Sequence, residues 1–323
     1  MKNAFLTWII GAAVSLLATA AAAQDYPTKP ITIVVPFAVG GPTDLSARLV
    51  ATSISKDPAF TVIVENVPGA GAVIGATRAA QAKPDGYTLL WGSASSLAMS
   101  PVLYENVKYD PIKSFAPVGL VASQPFVLVV RPSLGVKSLA EFVALAKASP
   151  GKLNYSSTGQ GASAHLVAEL FQTAAGIKAT HIPYNGGAPA MNALLASDVD
   201  FLFDTTTTTV PMIKSGKVLV LAVGSATRWP GLPNTPTFQE LGYVNFEATT
   251  WFALLAPAGT PPGIVATLNQ KLVAALHDPA VVSALQNAGF SIEPSTPSQL
   301  ASRIGSDVTR WGAIIKAANV KLN

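Results

Sequence analysis

The sequence predicts an α/β fold built as two α/β lobes joined by two crossing segments, with a ligand cleft between them. Three observations predict it. Short β-branched runs alternate with amphipathic helical runs, which argues for mostly parallel sheets covered by helices. Two apolar runs, Phe126 to Val130 and Trp251 to Leu255, each end near a proline and read as crossings between lobes. The length of 323 residues suits two domains, at roughly 100–200 residues each. If both runs cross, lobe 1 is discontinuous, formed by residues 24–125 and 252–323, and lobe 2 is residues 126–251. Ligands are commonly found in such a cleft.

The elements follow in order. Ile31 to Val35 is the first strand, and the turn Pro36 to Gly41 leads to a helix from Pro42 to about Ser55. In that helix Leu45, Leu49 and Ile54 lie near one face, with Ala47, Val50 and Ala51 beside them. Phe60 to Glu65 is a strand, Gly69 to Gln81 a glycine-led helix, and Tyr87 to Trp91 a third strand. Further strands are expected at Phe126 to Val130, Leu153 to Ser156, Ala179 to Ile182, Phe201 to Phe203 and Leu219 to Val223. Helices are expected at Leu139 to Ala148, Ala164 to Ala175, Ala188 to Ala196, Ile264 to Leu276, Ala280 to Ala288 and Pro297 to Ala318.

Residues 1–23 read as a secretory signal peptide: Lys2 is the basic start, Phe5 to Ala18 the apolar stretch, and Ala21-Ala22-Ala23 the cleavage site. The product is expected to be exported and soluble, with cleavage near Ala23. The absence of cysteine removes disulfides, thiol nucleophiles, thiolate zinc sites and iron–sulfur clusters together. Only His165, His181 and His277 are available, so a multi-histidine metal centre would need nearly all of them. The net charge of +4 is spread along the chain without a basic run, which gives no nucleic-acid footprint.

Two turns carry the chemistry. The first, Pro36-Phe-Ala-Val-Gly-Gly-Pro-Thr-Asp44, joins a strand to a helix. Gly40 and Gly41 permit close backbone approach, and Pro42 suits the first helical position. The free N–H groups of that first turn favour an anion such as a carboxylate. The same turn is also a well-capped helix start, with Asp44 completing the cap. The second, Ser156-Ser-Thr-Gly-Gln-Gly-Ala-Ser163, is again strand, hydroxyl- and glycine-rich turn, then helix. Two such turns facing one cleft would clamp a small acid.

Other signals are weaker. His165 sits on an amphipathic helix with Leu166, Leu170 and Phe171 and reads as structural. Gly69-Ala-Gly-Ala-Val-Ile-Gly75 is only a relative of the dinucleotide fingerprint, without its acidic partner, and is better explained by close helix–strand packing or a place in the cleft wall. No cofactor or metal is expected. Asp204 ends an apolar run and reads either as a carboxylate near the cleft or as a turn cap. Thr205 to Thr209 offers hydroxyls to a ligand or forms a solvent-facing helix start. Neither a G-x-S-x-G elbow nor an H-E-x-x-H motif occurs, so the site is built for binding, not catalysis.

In ordered series the chain resembles the periplasmic solute-binding receptors of tripartite tricarboxylate transporters, the Bug family. The series runs through Pro36-Phe37, Gly40-Gly41, Asp44, Ala47-Arg48, Asn66, Gly69-Ala70-Gly71, Gly75 and Pro84-Asp-Gly-Tyr-Thr-Leu-Leu90. It continues through Gly159-x-Gly161, His165-Leu166, Pro183-Tyr184, Gly186, Pro189-Ala190, Pro236-Thr237, Glu240, Gly242, Trp251 and Ala256-Pro257-x-Gly259-Thr260-Pro261. Departures are Ala72, where glycine is usual, the absence of a glycine usual near Ser197, and Asn185, where lysine is common. The resemblance implies a periplasmic-binding-protein-like flytrap. Its ligand would be a small carboxylate: a di- or tricarboxylate, an acidic amino acid or an aromatic acid. It implies delivery to the membrane subunits of a tripartite tricarboxylate-type transporter by a receptor that is not an enzyme. Nothing in the sequence demands more than a monomer. Carried over, the ligand turns are Phe37, Ala38, Gly40, Gly41, Thr43 and Asp44 in one lobe. Ser157, Thr158, Gly159 and Gly161 serve in the other, with Ser93 and Asp204 as further cleft positions. An occupancy sensor of the same fold, or a secreted hydrolase or lyase using Asp44, Asp204 or His165, are the alternatives.

Overall fold

The computed structural model describes residues 26–104, 106–244 and 246–317, so the signal-peptide reading lies outside the described residues. Strand β1 (Ile31–Val35) pairs in parallel with β2 (Val62–Asn66) and β3 (Thr88–Ser93), and helices α1 (Pro42–Ile54) and α2 (Val73–Ala80) connect them. After β3 the buried segment Ser95–Met99 winds as a π-helix into α3 (Ser100–Leu103). The second parallel group is β5 (Asn154–Ser157) between β6 (Thr180–Pro183) and β7 (Phe201–Thr205). Around it lie α4 (Leu139–Ala148), α5 (Ser163–Ala175), α6 (Gly187–Ala196) and α7 (Thr206–Lys214).

The two groups are joined by long antiparallel strands. β4 (Phe115–Val130) pairs with β9 (Thr249–Pro257) along residues 115–125, and with β7 and β8 (Leu219–Val223) along residues 126–130. β9 continues onto β3, giving the order β2-β1-β3-β9-β4-β7-β5-β6. The expectation of mostly parallel sheets therefore holds within each group and fails at the centre. The chain leaves the first group along β4 and returns along β9, so the two neighbours run in opposite directions. Helices α8 (Pro262–His277), α9 (Pro279–Asn287) and α10 (Pro297–Ala317) complete the first half, with a short β10 (Ser291–Ile292) on β4. Trp251 in β9 is buried and donates from its indole N–H to Asp307 of α10, which clamps that helix over the central strands.

Two elements run against local propensity. The β4 segment before Phe126 contains Pro117, Gly119 and Pro125, residues that disfavour strands. It pairs through register shifts at Pro117/Gly119 and Leu120/Ala122. α7 is built from the threonine run and contains Pro211. It forms because its hydroxyls find partners: Thr206 and Thr207 donate to the carbonyls of Gly289 and Ala288, and Thr209 donates to Thr205. Ala72 and Ser197 take φ values of 82° and 68°, the left-handed region that favours glycine. These two side-chain-bearing residues thus carry backbone strain, about 1 kcal/mol or more each.

Candidate functional site

A cavity of about 130 Å³ lies between the two strand groups. It is smaller than the roughly 300–1,000 Å³ of drug-sized pockets, which suits a small metabolite. Of the sequence-derived candidates, Phe37, Ala38, Gly41, Thr43, Ser93, Thr158 and Asp204 line it. Gly159 faces an adjoining chamber that shares Phe37, Ala38 and Thr158 with the cavity. Gly40, Asp44, Ser157 and Gly161 are absent from the cavity wall.

Those four act from behind. Asp44 is buried and accepts the Gly40 N–H at 3.0 Å on one oxygen. Its other oxygen accepts from Arg48 at 2.9 Å and from Asn66 at 2.8 Å. Asn66 also donates to the Phe37 carbonyl. Asp44 is therefore the brace of the first turn. Burial pushes its carboxyl up, but the bonds from Arg48, Gly40 and Asn66 prevail and hold it below the ordinary carboxylate value. In the second turn, Ser157 pairs with His181 at 2.7 Å, and the Gly161 N–H donates to His165 Nδ1 at 3.1 Å. The two imidazoles stack at 3.9 Å. Burial lowers the pKa of both, and His165 pushes His181 down further, to about 3. Both rings are thus neutral supports of the glycine turn.

Sequence reasoning missed half of the wall. A third strand–glycine–helix turn, Asn185 to Pro189, forms one side. Its Gly186-Gly187 followed by Pro189 is the same type of signal as the first turn. Phe126, Thr250 and Phe252 come from the central strands and carry no local signature, whereas Thr205 opens the threonine run that the sequence offers as a source of hydroxyl donors. Ser95 and Ser163 meet across the groups: the Ser163 N–H donates to Ser95 Oγ at 3.1 Å, and their hydroxyls pair directly.

Four helices start at this wall. α1 presents Gly41 to Thr43, α5 presents Ser163 and Ala164, α6 presents Gly186 to Pro189, and α7 presents Thr205. None has an N-cap side chain accepting from its own first turn. Each N-terminus contributes partial positive charge and donors. No lysine, arginine or histidine is among the lining residues. Two lining hydroxyls, Ser93 Oγ and Thr205 Oγ1, are buried without a hydrogen-bond partner, and such orphans are rare. The wall is therefore positive through its backbone and holds donors to spare.

Asp204 is the one acid on the wall and is 1% exposed. It accepts the Thr205 N–H at 2.7 Å and the Thr208 hydroxyl at 2.6 Å, so it braces the turn that leads into α7 and also faces the cavity. Burial pushes its pKa up to about 6, against the lowering by Thr208 and Thr205. The folded chain then binds more protons than the unfolded chain between about pH 4 and 6. Stability of the ligand-free protein should therefore rise as pH falls through that window, by roughly 3 kcal/mol from this group. Asp204→Asn should flatten that limb in urea unfolding at pH 4–7.5; an unchanged limb would deny the burial cost assigned to Asp204.

The model of the tripartite tricarboxylate transporter family receptor matches residues 46–320. Protein BugT of Bordetella pertussis is 37% identical over 307 residues, covering 95% of this chain and 94% of the relative. The solved periplasmic binding protein BugD is 39% identical, with a TM-score of 0.87 over 92% of this chain and 99% of that one. Two Rhodopseudomonas palustris proteins are similar in fold. One, solved with adipate, is 34% identical with a TM-score of 0.87, covering 91% of this chain and 99% of that one. The other, MatC with bound malate, is 33% identical with a TM-score of 0.86, covering 90% and 100%.

Proposed function

The chain belongs to the tripartite tricarboxylate transporter receptor family, and from that premise we propose that it is an exported receptor that captures a small carboxylate and delivers it to the membrane subunits of such a transporter. The observation that carries the reading is the convergence of four helix N-termini and two unpartnered hydroxyls on one small cavity without a cationic side chain. Such a wall stabilises a carboxylate through fixed dipoles and donors. The adipate and malate seen in two neighbours are acids of the same class.

The β4–β9 pairing supports a division into lobe 1, residues 24–125 and 252–323, and lobe 2, residues 126–251. Ligand contacts with both lobes would favour the closed arrangement, and only such differential contacts shift it. Phe37, Ala38, Gly41 and Thr43 serve from lobe 1 with Ser93. Thr158, Asp204, Thr205 and the Gly186–Gly187 turn serve from lobe 2. We read it as a monomeric periplasmic receptor without enzymatic activity, matured near Ala23.

The test is a thermal-shift screen of refolded, ligand-stripped protein against mono-, di- and tricarboxylates, with uncharged amides as controls. Ligand at ~1,000 times its Kd stabilises by about 4 kcal/mol, a shift of roughly 8–16 °C for lobes of this size. Shifts with acids and none with amides are expected; no shift with any acid would remove the carboxylate reading. Thr205→Val adds a second arm. It should stabilise the ligand-free protein by about 1 kcal/mol, because an orphaned hydroxyl leaves the core, and weaken the best acid about tenfold. Unchanged affinity would take Thr205 out of the site.

A further inference from the structure

The cavity wall carries both signs. The N-termini of α1 and α5 bring positive partial charge and donors. Asp204 lies beside the starts of α6 and α7, an acid held inside the wall with no cationic partner among the lining residues. A carboxylate has about four acceptor positions. The protein fills two of these, with the Thr205 N–H and the Thr208 hydroxyl. The added Cβ of any residue replacing Gly187 would stand 3.0 Å from Asp204 Oδ2, so glycine at the start of α6 keeps space beside that oxygen. A buried ionised acid without a partner is costly, and a second negative charge beside it adds to the cost.

We propose that Asp204 selects the substrate class of this receptor: a small amino acid whose ammonium group pairs with Asp204 while its carboxylate lies at the N-termini of α1 and α5. This rests on the receptor reading above and narrows it. An ammonium brings three donors to the vacant acceptor positions and neutralises the acid in a charge-assisted contact. A plain acid of the same skeleton has nothing to offer Asp204. Asp204 thus discriminates as sites built for a polar group do, through the penalty of leaving that group unpaired when the analogue lacks it.

Titration calorimetry at pH 7.5 on the stripped, exported form tests this with matched pairs that differ only in the amino group. The pairs are aspartate and succinate, glutamate and glutarate, leucine and 4-methylpentanoate, and phenylalanine and 3-phenylpropanoate. The expected result is that the tightest binder is an amino acid, at least tenfold tighter than its desamino partner. In Asp204→Asn, with native circular dichroism, that ratio should fall to near one. Desamino acids binding as tightly as their partners in the native protein would overturn the proposal and leave the receptor reading intact. A preference that survives in Asp204→Asn would remove Asp204 as its source. Should no member of any pair bind, and no acid in the wider screen, both readings fall. The wild-type ratio decides the substrate class even if the variant does not fold.

Discussion

Asp44→Ala is expected to destabilise the ligand-free protein by about 2–4 kcal/mol and to weaken ligand binding, although Asp44 is not on the cavity wall. The substitution removes the acceptor of three donors. The Gly40 N–H and the Asn66 amide lose a partner in part-buried surroundings, and Arg48 loses an ion pair in which its own side chain is 46% exposed. Most of the loss therefore belongs to these part-buried donors and little to the pair with Arg48. The turn then no longer holds Phe37 and Gly41 against the cavity. Asp44→Asn keeps one acceptor and should recover part of both losses. The pH dependence has the opposite sign to that of Asp204. The Asp44 carboxyl lies below its ordinary 3.8, so its contribution is complete above about pH 4 and is lost as pH falls through the folded value. Urea midpoints and calorimetry on the two variants check this. Stability and affinity both equal to wild type in Asp44→Ala would show that the turn holds without its brace.

The second large effect is expected at Gly75, in the first turn of α2. A Cβ there would lie 2.6 Å from the Val67 carbonyl oxygen and 2.8 Å from Cα and Cβ of Pro36. The obstacles are backbone and a rigid ring, so neither can swing aside. Gly75→Ala should cost about 3 kcal/mol, at the upper end of overpacking, or roughly 6–12 °C in Tm. The push falls on Pro36, next to Phe37 of the wall, so affinity should fall in the same variant. Wild-type unfolding of Gly75→Ala would contradict the close packing of α2 on β1. This geometry also explains the Gly69–Gly75 pattern as helix packing behind the site, with Gly69 and Gly71 in the wall of the adjoining chamber.

Much of this molecule was legible because the signals are local. Ile31 to Val35 alternates into glycines and Pro42, and the structure places β1, a turn and α1 there. The helices at Leu139–Ala148 and Pro262–His277 follow from their apolar spacing in the same way. What escaped has partners far along the chain. The first half of β4 is a strand despite two prolines because β9, over a hundred residues later, pairs with it. α7 is a helix despite four threonines because its hydroxyls reach Ala288 and Gly289 and the Thr205 backbone. Ser95 and Ser163 look like ordinary loop and helix-start serines until the fold sets them in contact.

The two acids of the site show the division most plainly. The sequence by itself determined the alternation of strands and helices, the glycine turns before helices, and the supply of short polar donors with few ionisable groups. It left Asp44 and Asp204 alike, each near a turn and each able to cap a helix. Tertiary structure separated them. Asn66 from β2, with Arg48 and Gly40, saturates Asp44 and makes it a brace. Asp204 receives only Thr205 and Thr208, lies within the wall, and has its pKa raised by burial. Propensity and capping act over a few residues and can be read along the chain. Desolvation and hydrogen-bond satisfaction depend on what arrives from elsewhere, and these decided which acid braces a turn and which one faces the cavity.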